Sequence, residues 1–271
     1  MFAAELRPPR AELAAAEGMD AWIDTYHAVR RLTRDGTFVF LTDNAVGAQE
    51  EDNLRHLVAN VGLDVPRERI VPFLTSKHTL EYCLSYAERA RQQGFRSLVV
   101  LGGDKSVGPA RVVEHAWQLR QLLRGRGQVL ELGGWANPHS DPERQVDYLL
   151  DDRFSAEFFL TQIVSHFDLP KVSRFLETAD RRGLVLPGLF GVFYYRSAKP
   201  QTLGALRNFL PVPVEGITSE FAAGATPEDV CAITVKGLLS AGVKHFYISN
   251  LPIARAHLVL SAILTKAGIS R

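Results

Sequence analysis

Residues 97–132 read SLVVLGGDKSVGPARVVEHAWQLRQLLRGRGQVLEL. The opening SLVVL is β-branched and aliphatic, and predicts a strand over Ser97–Leu101. Gly102-Gly103 breaks it. Apolar residues at helical spacing then predict a helix from Pro109 to Arg124, and Val129–Leu132 a further short strand. The same strand–helix alternation runs outward in both directions. Toward the N-terminus, strands are expected at Phe2–Leu6, Thr37–Thr42 and Ile70–Leu74. Helices are expected at Met19–Arg34, Gln49–Val61 and Thr79–Gln93, with Asp35-Gly36 and Gly94 as breakers. Toward the C-terminus, strands fall at Ala156–Val164, Leu184–Leu189 and Lys244–Ser249. Helices fall at Pro142–Leu150, Leu169–Arg181, Pro200–Phe209, Pro227–Ala241 and Ile253–Ala267.

That gives eight strands, each followed by at least one helix. A doubly wound sheet usually stops at about five or six strands, whereas eight is the closure number of a (β/α)8 (TIM) barrel. The fold expectation is therefore an α/β barrel with an extra helix before the last strand. The 271 residues contain no linker or low-complexity tract, and barrels of about 250 residues commonly form one domain. The expectation is a single barrel domain over 1–271.

Hydrophobic residues make up 46% and charged residues 23%, as in ordinary globular proteins. A net charge of +1 removes the simplest argument for a nucleic-acid partner, which needs a basic surplus. No run of about 18 apolar residues suggests a membrane span. Met1–Glu5 lacks the basic and apolar regions of a signal peptide, so a cytoplasmic location is expected. Cys83 and Cys231 sit in predicted amphipathic helices and read as buried thiols. With no Cys-x-x-Cys, His-x-His or His-Glu-x-x-His pattern, no metal site is expected. A carboxylate group formed by Asp43, Asp104 and Asp141 stays open.

In such a barrel, chemistry gathers at the carboxyl ends of the strands. Those ends carry Glu5; Thr42, Asp43 and Asn44; Thr75, Ser76, Lys77 and His78; Gly102, Gly103, Asp104 and Lys105; Trp135, Asn137, His139 and Asp141; Thr161 and Gln162; and Ser249, Asn250 and Leu251. Glu5 reads either as a proton donor of raised pKa or as a surface partner of Arg7 or Arg10. Asp104 follows two glycines that let a ligand approach the backbone, but it also suits a helix N-cap. Gln162 lies in an apolar strand and needs polar partners, from neighbouring backbone or from a heterocycle.

Several of these segments, in order along nearly the whole chain, resemble the methylenetetrahydrofolate reductase family. They are Glu5-Leu6-Arg7-Pro8-Pro9, Thr42 ending the second strand, Gly102-Gly103-Asp104, Leu160-Thr161-Gln162, Pro187-Gly188-Leu189, Phe221 and Leu251. The resemblance implies a reductase of one-carbon metabolism and methionine biosynthesis. Such an enzyme converts 5,10-methylenetetrahydrofolate to 5-methyltetrahydrofolate with electrons from a nicotinamide. It implies Glu5 as general acid and Asp104 as the anion that favours a 5-iminium cation. Gln162, Phe221, Thr42 and Leu251 would contact the folate. Gly102, Gly103, Trp135, His139 and Thr161 are the candidate cofactor contacts.

The family holds FAD with a third-strand His, the Arg of Arg-Gly-Asp and a basic helix after strand five. Here those places hold Phe73, Gly102, and Asp151 with Asp152. Carboxylates near a pyrophosphate repel it, so hydride passing directly from NADH or NADPH is preferred to FAD. The alternatives are an FAD-dependent member of the same family and a non-catalytic folate- or nucleotide-binding barrel. Lys77, Lys105, Arg196 and Lys199 are candidate contacts for a folate polyglutamate tail, and the sequence leaves oligomeric state open.

Overall fold

The strand expected at Ser97–Leu101 forms with those limits, as the fourth of eight (β4). The computed structural model describes residues 1–43, 52–54, 65–105 and 108–269. Its strands are β1 (Phe2–Leu6), β2 (Phe38–Leu41), β3 (Ile70–Thr75), β4, β5 (Glu131–Ala136), β6 (Phe158–Val164), β7 (Gly188–Phe193) and β8 (Phe246–Ser249). They pair in sequence order into a closed (β/α)8 barrel. Where the register is defined it is parallel, with Glu5 opposite Phe40, Phe73 opposite Val99, and Phe190 opposite Phe246. Every residue of β3 is buried, as expected of a parallel strand covered on both faces.

The helices are α1 (Ala15–Arg34), α2 (Leu80–Gln92), α3 (Ala116–Gly125), α4 (Pro142–Leu150), α5 (Leu169–Arg181), α6 (Pro200–Arg207), α7 (Val214–Ala222), α8 (Pro227–Ser240) and α9 (Ala256–Lys266). The helix read at Gln49–Val61 lies outside the described residues except for Asp52–Leu54, which form a turn closed by Leu54 N–H donating to the Asp52 carboxylate at 2.9 Å.

Four departures from the sequence reading have physical causes. The strand expected at Leu184–Leu189 starts instead at Gly188. The chain leaves α5 through Gly183, whose φ of +69° is the left-handed turn that glycine adopts without strain. Gly183 N–H then donates to Asp180 O and Leu184 N–H to Ala179 O, so Leu184 is part of the helix cap. The strand at Val129–Leu132 instead spans Glu131–Ala136, through two glycines. A Cβ on Gly133 would lie 2.6 Å from the Phe158 ring and 2.9 Å from Val99, and one on Gly134 would strike the Phe154 ring. The glycines are where the aromatic rings pack, so they extend the strand rather than end it. The helix expected from Pro109 begins at Ala116, because Arg111 turns back to the loop after β4 and Val112 N–H donates to Ser76 O at 2.6 Å. Between β7 and β8 the sequence suggested two helices and the chain forms three; α7 is the additional one.

Chain contacts divide the protein into two compact units. One comprises Ala3–Gly134 with Asp152–Phe159; the other comprises Met1–Phe2, Trp135–Asp151 and Leu160–Arg271. In the first, the fully buried Arg120 donates to Phe154 O (2.7 Å) and Val100 O (3.1 Å), with its guanidinium 4.7 Å from the Phe154 ring centroid. These contacts offset the cost of burying the charge. In the second, Tyr247 OH donates to Thr161 O at 2.7 Å, and Gly191 N–H donates to the Thr161 hydroxyl at 3.0 Å.

Candidate active site at the strand ends

In the first unit, Glu5 is the penultimate residue of β1 and half-buried, between the buried Ala4 and Leu6. Thr42 follows β2 directly and is buried, its N–H donating to Leu6 O at 3.1 Å. Asn53 braces this end: its amide group lies within 3.2 Å of Leu41 O, 3.0 Å of Thr42 O and 3.0 Å of Phe73 O, and its own oxygen accepts from Tyr86 OH.

Next along the chain, Asp43 forms the most organised polar group of this unit. Its Oδ2 accepts from Thr75 N–H at 2.7 Å and from the Thr75 hydroxyl at 3.0 Å. His78 Nε2 lies 2.8 Å from Oδ1 and 2.9 Å from Oδ2. An ionised carboxylate only accepts, so this geometry assigns the ring proton to Nε2. The Tyr82 ring packs against the imidazole with centroids 4.4 Å apart, and the Tyr82 hydroxyl donates to Asp52 at 3.0 Å. Burial first, then the negative charges of Asp52 and Asp43, push the Tyr82 phenol well above its ordinary range. Burial alone would raise the Asp52 carboxyl. The Leu54 N–H and the Arg89 guanidinium, 3.0 Å away, outweigh it and hold the group below the usual range.

Asp104 stands three residues past β4 and is half-buried. Two cations flank the glycines before it. The Arg111 guanidinium occupies the space over Gly102, 2.7 Å from where a Cβ would sit, and donates to Gly103 O. Its Nε is buried without a hydrogen-bond partner among the described residues. The buried Lys77 lays its aliphatic chain against Gly103, at 2.7–3.0 Å from a Cβ there. Gly103 has φ +74°, so both its conformation and its missing side chain are needed. The Ser76 hydroxyl donates to Gly102 O at 3.0 Å.

The second unit holds the other expected residues. Gln162 is half-buried in β6, with its side-chain oxygen accepting from Ile163 N–H at 2.9 Å; its amide NH2 is left as the donor. Thr161 is fully buried, and its hydroxyl donates to Gln162 O at 2.9 Å while accepting from Gly191 N–H. Trp135 is half-buried in β5. His139 Nε2 lies 2.8 Å from Ile163 O and therefore carries a proton. Its Nδ1 faces Lys171 Nζ at 3.5 Å and Asp168 Oδ1 at 3.6 Å. Burial and then the Asp168 charge raise the Tyr195 hydroxyl above its ordinary range. Asp141 caps α4 through Arg144 N–H at 2.9 Å.

Phe221 is half-buried on α7, the helix missing from the sequence reading. The neighbouring Glu220 lies 2.8 Å from His166 Nε2, and the Phe167 ring fills the space beside Gly216, so α7 is tied to the segment after β6. Leu251 is buried two residues past β8. Arg196 donates to Asn250 O and Leu251 O, which spends donors otherwise available to a polyglutamate tail.

Glu5, Thr42, Gly102, Gly103 and Asp104 thus belong to one unit. Trp135, His139, Thr161, Gln162, Phe221 and Leu251 belong to the other. The Asp43–His78 pair, Arg111 over Gly102 and the Lys171–Asp168 pair escaped sequence reading as partners. Asp43 and His78 were visible as strand-end residues, but no local pattern joins positions 35 apart.

No protein-family model matches this chain, and no curated protein matches it. Solved structures do. An F420-dependent secondary alcohol dehydrogenase in complex with an F420–acetone adduct is 12% identical, with a TM-score of 0.56 over 98% of each chain. Tryptophan synthase from M. tuberculosis, in its open form with BRD0059 bound, is 12% identical, with a TM-score of 0.54 over 99% of this chain and 93% of that one. At such identities the likeness establishes the barrel fold alone. No helix among the described residues is long and apolar enough to cross a membrane.

Proposed function

We propose that this barrel is a 5,10-methylenetetrahydrofolate reductase that takes its hydride directly from a nicotinamide dinucleotide. The observation that carries the reading is the ordered set of family-like residues, five of which lie near or just past the carboxyl end of their own strand. Glu5 is the penultimate residue of β1, Thr42 follows β2, Asp104 stands three residues past β4, Gln162 lies two residues before the end of β6 and Leu251 two residues past β8. That is the end at which (β/α)8 enzymes carry their chemistry.

The roles follow from the groups. Glu5, half-buried near the end of β1, donates a proton to N10 of the folate as the C–N10 bond of the imidazolidine ring breaks. The product is a 5-iminium cation, which the Asp104 carboxylate favours electrostatically. The dinucleotide's hydride then adds to the methylene carbon, giving the N5-methyl group and the oxidised nicotinamide. In the second unit, Gln162 carries an amide NH2 suited to a heterocycle and Phe221 a ring suited to stacking. Lys77 and Arg111 place positive charge beside the Gly102–Gly103 backbone, where anionic groups of either substrate are favoured.

FAD is a poor fit to the residues present. Phe73 is a buried apolar side chain of β3 where the family has its His. Gly102 has no side chain where the family has its Arg, and the Arg111 guanidinium over it is engaged by Gly103 O. Asp151 and Asp152 follow α4 where the family has lysines.

The test is NADH or NADPH oxidation by the purified protein, with and without 5,10-methylenetetrahydrofolate and with no added flavin. Folate-dependent oxidation that forms 5-methyltetrahydrofolate supports the reading. Turnover only with added FAD favours the flavin-dependent alternative, and turnover only with reduced F420 favours a deazaflavin donor. Folate binding without turnover under any donor leaves a binding barrel.

A further inference from the structure

The proposed reaction takes up one proton per cycle. Glu5 gives its proton to N10 and is left as a carboxylate, so it must be recharged from solvent before the next turnover. The recharging group needs three properties. It must exchange protons near neutral pH, stay in a fixed orientation and keep some contact with water. An imidazole meets the first requirement.

His78 meets the others. Its side chain is 21% exposed, whereas its partner Asp43 is 12% exposed. Nε2 is tied to both oxygens of Asp43 at 2.8 and 2.9 Å, and Asp43 is in turn fixed by Thr75 N–H and the Thr75 hydroxyl. The Tyr82 ring at 4.4 Å restrains the imidazole on one face. Nδ1 has no hydrogen-bond partner among the described residues. Among the described residues, these charged and titratable groups lie near the ring. Asp43 faces Nε2, Lys77 precedes it in the chain, and Cys83 Sγ lies 4.0 Å from the His78 carbonyl. Tyr82 turns its hydroxyl away to Asp52, which Arg89 neutralises. The Asp43 carboxylate therefore acts on the ring at closest range and fixes its orientation through Nε2.

We propose that His78, oriented by Asp43, is the proton-relay residue that recharges the Glu5 carboxyl group between turnovers. The inference rests on the reductase reading above. Glu5, Asp43 and His78 belong to the same compact unit, at the carboxyl ends of β1, β2 and β3. In the step, the imidazolium Nδ1–H gives its proton through water to the Glu5 carboxylate. The neutral ring, still donating Nε2–H to Asp43, then takes a proton from solvent at Nδ1. No electrons move and no further reactant is needed.

The experiment is rapid-mixing kinetics on the full chain with NADH and 5,10-methylenetetrahydrofolate, comparing the wild type with His78→Gln. The variant is expected to complete its first turnover near the wild-type rate, because Glu5 starts protonated. Its steady-state rate then falls at least about tenfold and recovers when imidazole buffer is added. An unchanged steady state overturns the proposal, and so does a first turnover slowed by the same factor as the steady state. Absence of folate-dependent oxidation in the wild type instead brings down the reductase reading, and this inference with it. Nitrogen NMR of the wild-type histidines provides a check that needs no variant. A neutral His78 that carries its proton on Nε2 supports the relay, and a neutral His78 that carries it on Nδ1 overturns it.

Discussion

Replacing Asp43 with asparagine keeps the shape of the side chain and removes its charge. In the structure one carboxylate accepts from three donors: Thr75 N–H at 2.7 Å, the Thr75 hydroxyl at 3.0 Å and His78 Nε2 at 2.8 Å. Hydrogen bonds to a charged group contribute roughly 1.5–3 kcal/mol each, against about 0.5–1.5 for neutral ones. Three such conversions lose about 3 kcal/mol. With the amide oxygen kept toward Thr75, the new NH2 faces His78 and forces the ring proton to Nδ1. Asp43 is mostly buried, so water recovers little of this. Urea unfolding should show Asp43→Asn to be less stable by about 2–4 kcal/mol. Because His78→Gln removes the same contact, the double variant should depart from additivity by at least about 1 kcal/mol. A loss under about 0.5 kcal/mol, or simple additivity, refutes the view that this pair is a fixed structural unit.

Three other outcomes are expected. Glu5→Gln should retain folate and dinucleotide binding by calorimetry while losing about 10²–10⁴-fold in turnover; near-wild-type rates would remove Glu5 from the mechanism. Glu88, hydrogen-bonded first by Arg91 and then by Gln92 and Gln128, has its carboxyl held down at about 2. A carboxyl group lowered on folding stabilises above its unfolded value and loses that contribution as pH falls through the folded one. Glu88→Gln should therefore flatten the fall in stability between roughly pH 4.5 and 2, measured by urea unfolding across that range. Burial, and then the charge of Asp43, push the Cys83 thiol up to about 12, and burial raises Cys231 as well. Neither should react with a neutral-pH thiol reagent until the protein unfolds, and rapid native-state labelling would contradict that.

The sequence was most legible where local signals and packing agree. β1, β4, α4 and α5 form with the limits read from apolar spacing and breakers. It misled where a residue serves a neighbour far along the chain. Gly133 and Gly134 look like a strand terminator until the rings of Phe158 and Phe154 are seen to need the space. Arg111 and Val112 look helical until the loop after β4 and Ser76 claim them. Leu184 looks like strand but completes the cap of α5. The candidate site divides in the same way. Glu5, Asp104 and Gln162 lie near the strand ends where the sequence reading put them. The Asp43–His78 pair depends on the register of β2 against β3, which sets Leu41 opposite Pro72, and no hydrophobic pattern specifies that offset. Phe221 was named from resemblance, but the helix that carries it lies in an inserted stretch whose folding is set by contacts such as His166 with Glu220.

The most direct measurement uses NADH carrying deuterium at the transferable C4 position, with flavin-free protein and 5,10-methylenetetrahydrofolate. Direct reduction predicts one deuterium retained in the N5-methyl group for each NADH oxidised. Complete washout of the label to solvent, or no NADH oxidation when the folate is present, would contradict it.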